Sequence, residues 1–270
     1  MARSHGSTRD RVLGGVSALV YGFLYVPILV LVALSFNETG RPSSWGGLST
    51  QWYSELLRSP DLIDSFKNTL VVALSVTAIS TVIGTLLAIG LERTVKSAVL
   101  DSALFLPAVV PDIVLAIGLL SFFTFAEVSL GLHSIIAAHV VFDMIFVAAI
   151  VRTRLGYFDR SVEEAAQDLG ASRVATFFRV TLPLILPGIV AGALVAFTLS
   201  FDEFIIAFFT TGPTSATFPI RVYSRIRFGL TPVINAAATV LLIVSFTTIL
   251  IAVALNGRAA KRALERGAVG

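Results

Sequence analysis

Six apolar stretches, at about residues 12–35, 66–91, 102–125, 134–151, 184–209 and 233–255, are each long enough to cross the hydrocarbon core of a bilayer. A spanning helix needs roughly 20 residues, since each adds about 1.5 Å along the axis. The runs lack the period-2 alternation of a membrane barrel, and lipid offers no partner for an unpaired backbone group, so they are predicted to be helices. Composition agrees, with 56% hydrophobic and only 14% charged residues and a mean hydropathy of +0.88. A water-soluble domain is closer to one quarter charged. The first run is too long for the apolar core of a secretory signal, and Leu34-Ser35-Phe36-Asn37 is no cleavage site, so a retained helix is expected. The expected fold class is an all-α polytopic membrane protein of about six transmembrane helices.

Charge placement orients the array. With the N-terminus inside, one side carries 14 of the 20 Lys and Arg residues and the other six. The richer side holds Arg3, Arg9, Arg11, Arg93, Lys96, Arg152, Arg154, Arg160, Arg173, Arg179, Arg258, Lys261, Arg262 and Arg266. Positive residues are retained on the cytoplasmic side, and an even number of spans then places both termini there. The chain divides into an N-terminal tail (1–11), a membrane domain (12–256) and a C-terminal tail (257–270).

Several function classes fall away. The chain has no cysteine, which excludes disulfides and thiolate chemistry. No Gly-x-x-x-x-Gly-Lys-Ser/Thr element occurs, so no P-loop for ATP is expected, and no nucleophile elbow is visible. His133 and His139 are six residues apart and do not share a helical face, which argues against a metal site. Basic residues form short clusters between apolar runs rather than a nucleic-acid stripe. The Phe-rich runs 122–125 and 204–209 read as lipid-facing or packing surface.

Two connections are longer than turns. The segment 37–65 carries Trp45, Trp52 and Tyr53, with Gly46-Gly47 and Pro60 as breakers; an interface-lying segment and a partly ordered loop both fit. The segment 152–182 predicts a helix pair. Ser161 and Glu164 have capping-box spacing, and Glu163 and Glu164 suit the positive end of the helix dipole. Gly170 is placed to end that helix in a left-handed conformation, Ser172 to cap a second, and Pro183 to stop it. Val162, Ala165, Ala166 and Leu169 form an apolar stripe. An amphipathic hairpin packed under its own bundle and a docking site for another protein are both compatible with that stripe.

Glu164-Ala165-Ala166, three residues, Gly170, nine residues and Val180-Thr181-Leu182-Pro183 resemble the signature loop of binding-protein-dependent ABC importer permeases, with Val180 where isoleucine is common. The likeness extends over nearly the whole chain. Tyr25-Val26-Pro27-Ile28, Ser35-Phe36-Asn37, Pro111-Asp112-Ile113-Val114, Phe197-Thr198-Leu199-Ser200-Phe201-Asp202-Glu203, Thr211-Gly212-Pro213 and Pro219-Ile220-Arg221-Val222-Tyr223-Ser224 are similar to the spermidine/putrescine branch of that family. The resemblance implies the type I importer (MetI-like) architecture, with a core over about 65–255. It further implies that Glu164, Ala165, Ala166 and Gly170 dock into a cytoplasmic ATPase, with Asp168 and Arg173 as polar contacts. The implied partners are two ATP-binding cassette ATPases, which would bind ATP and Mg, a second permease of different sequence and an extracytoplasmic binding protein. Ile145 departs from the family where a proline is frequent, which puts a local kink in doubt, and Asp143 is an unfamiliar acid.

Four acids fall within the expected spans: Asp112, Asp143, Asp202 and Glu203. An ionised residue at the bilayer centre costs roughly 2.5–3.5 kcal/mol on insertion scales, so each needs a partner, a cavity or a proton. A pathway for a cationic substrate fits, since a passing ammonium supplies the counter-charge. Asp112 follows Pro107 and Pro111, which free carbonyls and bend a helix. Asp202 and Glu203, if helical, point about 100° apart; a structural hydrogen-bond site explains that pair equally. For Asp143, a contact to Ser134 or His139 of its own helix is the alternative. The expected function is polyamine translocation by a permease subunit that is not itself an enzyme. Import of another small solute (thiamine, iron, sugar or phosphonate) is one alternative, and an ion-gradient-driven transporter is another.

Overall fold

The computed structural model describes residues 8–41, 43–93, 98–228 and 231–267, in two compact units: one of residues up to 60 with 222–241, the other of 61–221 with 242 onward. Arg3 and Lys96, counted in the charge split, lie outside the described residues. The helices in chain order are α1 (Thr8–Leu34), α2 (Gln51–Arg58), α3 (Pro60–Arg93), α4 (Ala98–Phe105), α5 (Asp112–Phe125) and α6 (Leu132–Gly156). They continue with α7 (Ser161–Asp168), α8 (Arg173–Thr176), α9 (Leu182–Asp202), α10 (Ile205–Thr210), α11 (Phe218–Phe228) and α12 (Pro232–Gly267). Among the described residues the sole β pairing is an isolated bridge between Asn37 and Leu48.

Five of these helical stretches are long and apolar enough to cross a membrane: Val12–Leu34, Pro60–Arg93, Leu132–Gly156, Arg173–Asp202 and Pro232–Ala254. The third expected span, 102–125, is not one helix. It consists of α4, a 3-10 turn at Leu106–Ala108 and the 14-residue α5, whose N-cap is Pro111 at φ −54°, ψ 133°. A residue before proline is pushed out of the α region and proline has no N–H for the ladder, so Pro107 and Pro111, four positions apart between α4 and α5, enforce the break. Helix extends into both expected tails: α1 begins at Thr8, and α12 continues through 257–267.

In the first unit the Val12–Leu34 stretch of α1 is apolar and none of its side chains is buried. Beyond it, the 35–50 segment folds around one buried side chain. Asn37 Nδ2 donates to the carbonyls of Arg41 (3.0 Å) and Ser44 (2.8 Å), and its Oδ1 accepts the Gly46 N–H (3.0 Å). The indole N–H of Trp52 on α2 closes over the loop onto the Asn37 carbonyl at 2.8 Å, and the Tyr53 hydroxyl meets Ser35 Oγ at 2.7 Å. The segment is therefore ordered by backbone capture, with Trp45 left exposed.

The second unit is organised on α6, which packs along α9. Small residues bring the helices close. A Cβ on Gly84 of α3 would lie 2.7 Å from Val147 Cβ, and one on Gly192 of α9 would lie 3.1 Å from Val147 Cγ1. Val147 is thus wedged between two glycines, and Ala88, Ala148, Val151, Ile185 and Ala196 fill the same cluster. In lipid, helix association depends on this close van der Waals packing, because hydrocarbon is as apolar as the side chains. A second cluster joins Val72 and Val76 of α3 to Ile135, Ala207 and Ile220, and a third joins Ala116 and Phe123 of α5 to Ala138 and Ile206. Within the Phe-rich runs Phe123 is buried, while Phe122, Phe125 and Phe208 are exposed. α6 runs unbroken through Ile145, with no kink where a proline is absent.

Candidate functional site: a coupling surface and a membrane acid cluster

The helix pair predicted over 152–182 is present, with different capping at its start. Ser161 is the first residue of α7 and Arg160 its N-cap, and no side-chain cap bond forms from the expected box. Asp159 takes over: its Oδ1 accepts the Ser161 N–H at 2.9 Å. Those Ser161 donors hold the exposed Asp159 carboxyl below the usual carboxylate range. Glu163 is turned inward, which removes the first-turn acids from any symmetrical role. At the other end Gly170 has φ +90°, and the bonds Gly170 N–H to Gln167 O (2.8 Å) and Ala171 N–H to Ala166 O (3.0 Å) complete a Schellman stop. Ser172 Oγ then accepts the Ala175 N–H at 3.2 Å and caps α8.

The second helix does not stop at Pro183. It passes through a π turn at Phe177–Thr181 into α9, giving one helical stretch from Arg173 to Asp202. The ring of Pro183 displaces the carbonyl four residues back, and widening the preceding turn to i→i+5 bonding accommodates it without ending the helix. The apolar stripe is on the outside. Leu169 is 91% exposed, and Val162, Val174 and Phe178 are exposed with it, as are Glu164, Ala165, Asp168, Gly170 and Arg173; Ala166 is half-buried. A hairpin packed beneath its own bundle would have hidden these side chains.

Three of the four acids, Asp112, Asp202 and Glu203, lie at two helix breaks, and Asp143 lies within the unbroken α6. α9 ends at Asp202, and Glu203 leaves the helix with extended backbone (ψ 119°), so the expected 100° divergence of two helical neighbours does not apply. The Glu203 carboxylate turns back and accepts the Ile206 N–H at 2.9 Å, capping α10. α10 packs against α5, whose first residue is Asp112. Asp143, buried on α6, lies in the electrostatic field of Glu203 and Asp202, and Glu203 in that of Asp112. Asp202 is exposed and the other two are half-buried.

Neither partner proposed for Asp143 is spent on it. Ser134 Oγ accepts from Gly131 N–H and donates to the Thr210 carbonyl (2.7 Å), and His139 Nδ1 meets Ser200 Oγ at 2.9 Å. Asp143 Oδ2 and His139 Nε2 are both buried without a hydrogen-bond partner among the described residues. His139 sits one turn before Asp143 on the same face of α6, the position that made it a candidate contact in the sequence.

Residues 80–263 match the family model described as "Binding-protein-dependent transport system inner membrane component". The chain is 36% identical over 239 residues to the spermidine/putrescine transport system permease protein PotC of Escherichia coli (strain K12), covering 88% of this chain and 90% of that one. It is 39% identical over 233 residues to the putrescine transport system permease protein PotI of the same strain, covering 83% of each. A similar fold occurs in the crystal structure of a bacterial ABC transporter involved in the import of the acidic polysaccharide alginate, with a TM-score of 0.70 at 16% identity over 93% of this chain and 96% of that one. With its broken third span, its exposed helix pair and its match over both, the chain belongs to the family of binding-protein-dependent transport inner-membrane components, the permease subunits of ABC importers.

Proposed function

We propose that this chain is one of two permease subunits of an ATP-driven importer for polyamines such as spermidine and putrescine. In this reading both termini are cytoplasmic, and the substrate passes at the interface with a second permease of different sequence. Two ATP-binding cassette ATPases bind ATP and Mg outside this chain, and an extracytoplasmic binding protein delivers the substrate. The observation that carries the substrate class is the placement of Asp112, Asp202 and Glu203 at two helix breaks, with Asp143 of α6 in electrostatic reach of Asp202 and Glu203. Carboxylates at membrane depth are retained when something neutralises them in turn, and a passing polyammonium does so. The names of the PotC and PotI relatives point to the same cargo.

Glu164, Ala165, Ala166, Asp168, Gly170 and Arg173 form the ATPase-docking face. The support is the outward stripe of α7 and α8, closed by a tight glycine turn that lets a short helix enter a cleft. Reconstitution with the ATPases, the second permease and the binding protein tests both parts. Uptake of labelled putrescine or spermidine should require ATP and survive an ionophore that collapses ion gradients. A binding protein that retains thiamine, iron, a sugar or a phosphonate but no polyamine overturns the substrate class. Glu164→Ala and Gly170→Leu should abolish ATP-dependent uptake while the chain still inserts; unchanged uptake in both overturns the docking face.

A further inference from the structure

The docking helix has an inner side, and a single carboxylate organises it. Glu163, adjacent to the outward Glu164, has a side chain only 13% exposed. Its Oε1 accepts from Arg93 Nη2 at 2.6 Å, at the last residue of α3, and from the hydroxyl of Thr181, at the last residue of the π turn. The turn of α3 just before it is tied in parallel: Arg152 of α6 meets Glu92 Oε2 at 3.2 Å, and Arg160 at the N-cap of α7 donates to the Glu92 carbonyl at 3.2 Å. Thr181 is fully buried, so its hydroxyl has no solvent to turn to.

The placement is mechanical. α7 is short, is joined to α6 and α8 by turns, and shows an apolar face to its exterior, so few apolar contacts hold it to its own bundle. Charge-assisted hydrogen bonds are directional and short-ranged, and a partly buried one resists displacement more than a solvated one. The Glu163 carboxylate joins the start of α7 to the end of α3 and to the one stretch of the Arg173–Asp202 helix that is wound with five-residue bonding. A π turn holds an extra residue and marks a place where a helix changes register or direction.

We propose that Glu163, with Arg93 and Thr181, is the latch through which displacement of α7 reaches α3 and α9, as a set of positioning residues separate from the docking face. This rests on the reading of α7 as the ATPase-docking helix. Cutting the latch leaves docking in place and lets α7 move without carrying the transmembrane helices. The transporter then hydrolyses ATP with little transport.

The complete transporter in proteoliposomes provides the test, with three readouts: ATPase retained on purification, ATP hydrolysis stimulated by substrate-loaded binding protein, and polyamine moved per ATP. Glu163→Gln and Thr181→Val are expected to keep the ATPases bound and hydrolysing, with polyamine per ATP falling by about tenfold, the scale of one lost charge-assisted hydrogen bond. Thr181→Ser, which keeps the hydroxyl, should retain the wild-type ratio, and Arg93→Glu with Glu163→Arg should recover part of it. Should Glu163→Gln fail to assemble, the Thr181 pair decides: equal ratios in Thr181→Val and Thr181→Ser overturn the latch. Loss of bound ATPase in both Glu163→Gln and Thr181→Val also overturns it, since they then belong to docking. Failure of the docking reading shows separately, as full uptake in Glu164→Ala and Gly170→Leu.

Discussion

A methyl group at Gly84 would stand 2.5 Å from the Met144 carbonyl oxygen and 2.7 Å from Val147 Cβ. Non-bonded heavy atoms settle at about 3.5–4.0 Å, so α3 and α6 must part by about 1 Å to admit it. Overpacking costs about 1–3 kcal/mol, and an obstacle made of backbone carbonyl, which cannot rotate aside, places Gly84 at the upper end. Alanine returns about 0.5–1 kcal/mol as the better helix former, leaving Gly84→Ala destabilised by about 2 kcal/mol. Gly192 is the milder case, with Val147 Cγ1 at 3.1 Å and its Cα at 3.3 Å, so a few tenths of an ångström suffice. There the two terms nearly cancel. Gly90, on α3 six residues beyond Gly84, has nothing within 4 Å of a new Cβ and should show the helix-former gain alone.

Thermal melting of the detergent-purified chain, followed by the monodisperse fraction left after heating, should therefore rank Gly90→Ala highest, Gly192→Ala near wild type and Gly84→Ala well below. Val147→Ala added to Gly84→Ala should rescue only part of the loss, because the Met144 carbonyl stays in place. A Gly84→Ala protein that melts with Gly90→Ala, or a complete rescue by Val147→Ala, would refute the wedge as the basis of α3–α6 packing.

Two further outcomes concern the connections. Asn37→Ala removes the partner of the Gly46 N–H and one of two donors from each of the Arg41 and Ser44 carbonyls, a net loss of about 0.5–1.5 kcal/mol per bond, so limited proteolysis should cut within 37–50 in the variant and not in the wild type. Asp159 caps α7 as a carboxylate held below its ordinary range, so its contribution is complete above the ordinary value of about 3.9 and is lost as pH falls through the lowered one. Hydrogen exchange at the α7 N-terminus should be flat in relative protection from neutral pH to about 4 and lose protection below it, whereas Asp159→Asn should show no such acid-induced loss.

The spans were legible because run length and hydropathy are properties of contiguous sequence. Their breaks were legible in part. Pro111 and its consequence can be read from one residue, but the stop at Asp202–Phe204 has no proline or glycine. It arises because Glu203 finds the Ile206 N–H and α10 packs on α5, which are contacts between distant segments. Gly170 and Ser172 behaved as local chemistry dictates, since caps involve residues within one turn. Ser161 did not, because Asp159, two residues earlier, competes for the same donor and Glu163 is drawn to Arg93, 70 residues away in sequence. Which of two adjacent glutamates faces the bundle is decided by that distant arginine, and no spacing rule contains it.

The same contacts separate the four membrane acids by role. Glu203 is committed to the α10 cap, so Glu203→Gln, which keeps an acceptor oxygen, should retain the fold and most transport. Asp112 lies in the first turn of α5, where the helix dipole already favours its charge, so it has less need of a passing cation. Asp202 is at the C-terminal end of α9, where free carbonyls and the negative dipole end add to its own charge. Asp143 has a buried oxygen with no hydrogen-bond partner among the described residues. Together these offer an ammonium group both carboxylate and carbonyl acceptors. Asp143→Asn and Asp202→Asn should therefore depress polyamine uptake at unchanged ATPase assembly, each by more than Asp112→Asn or Glu203→Gln. If the order is reversed, with Asp112→Asn and Glu203→Gln the most damaging, the cation is being held by the capped end of α10 and the start of α5, and the assignment of Asp143 and Asp202 to the pathway fails.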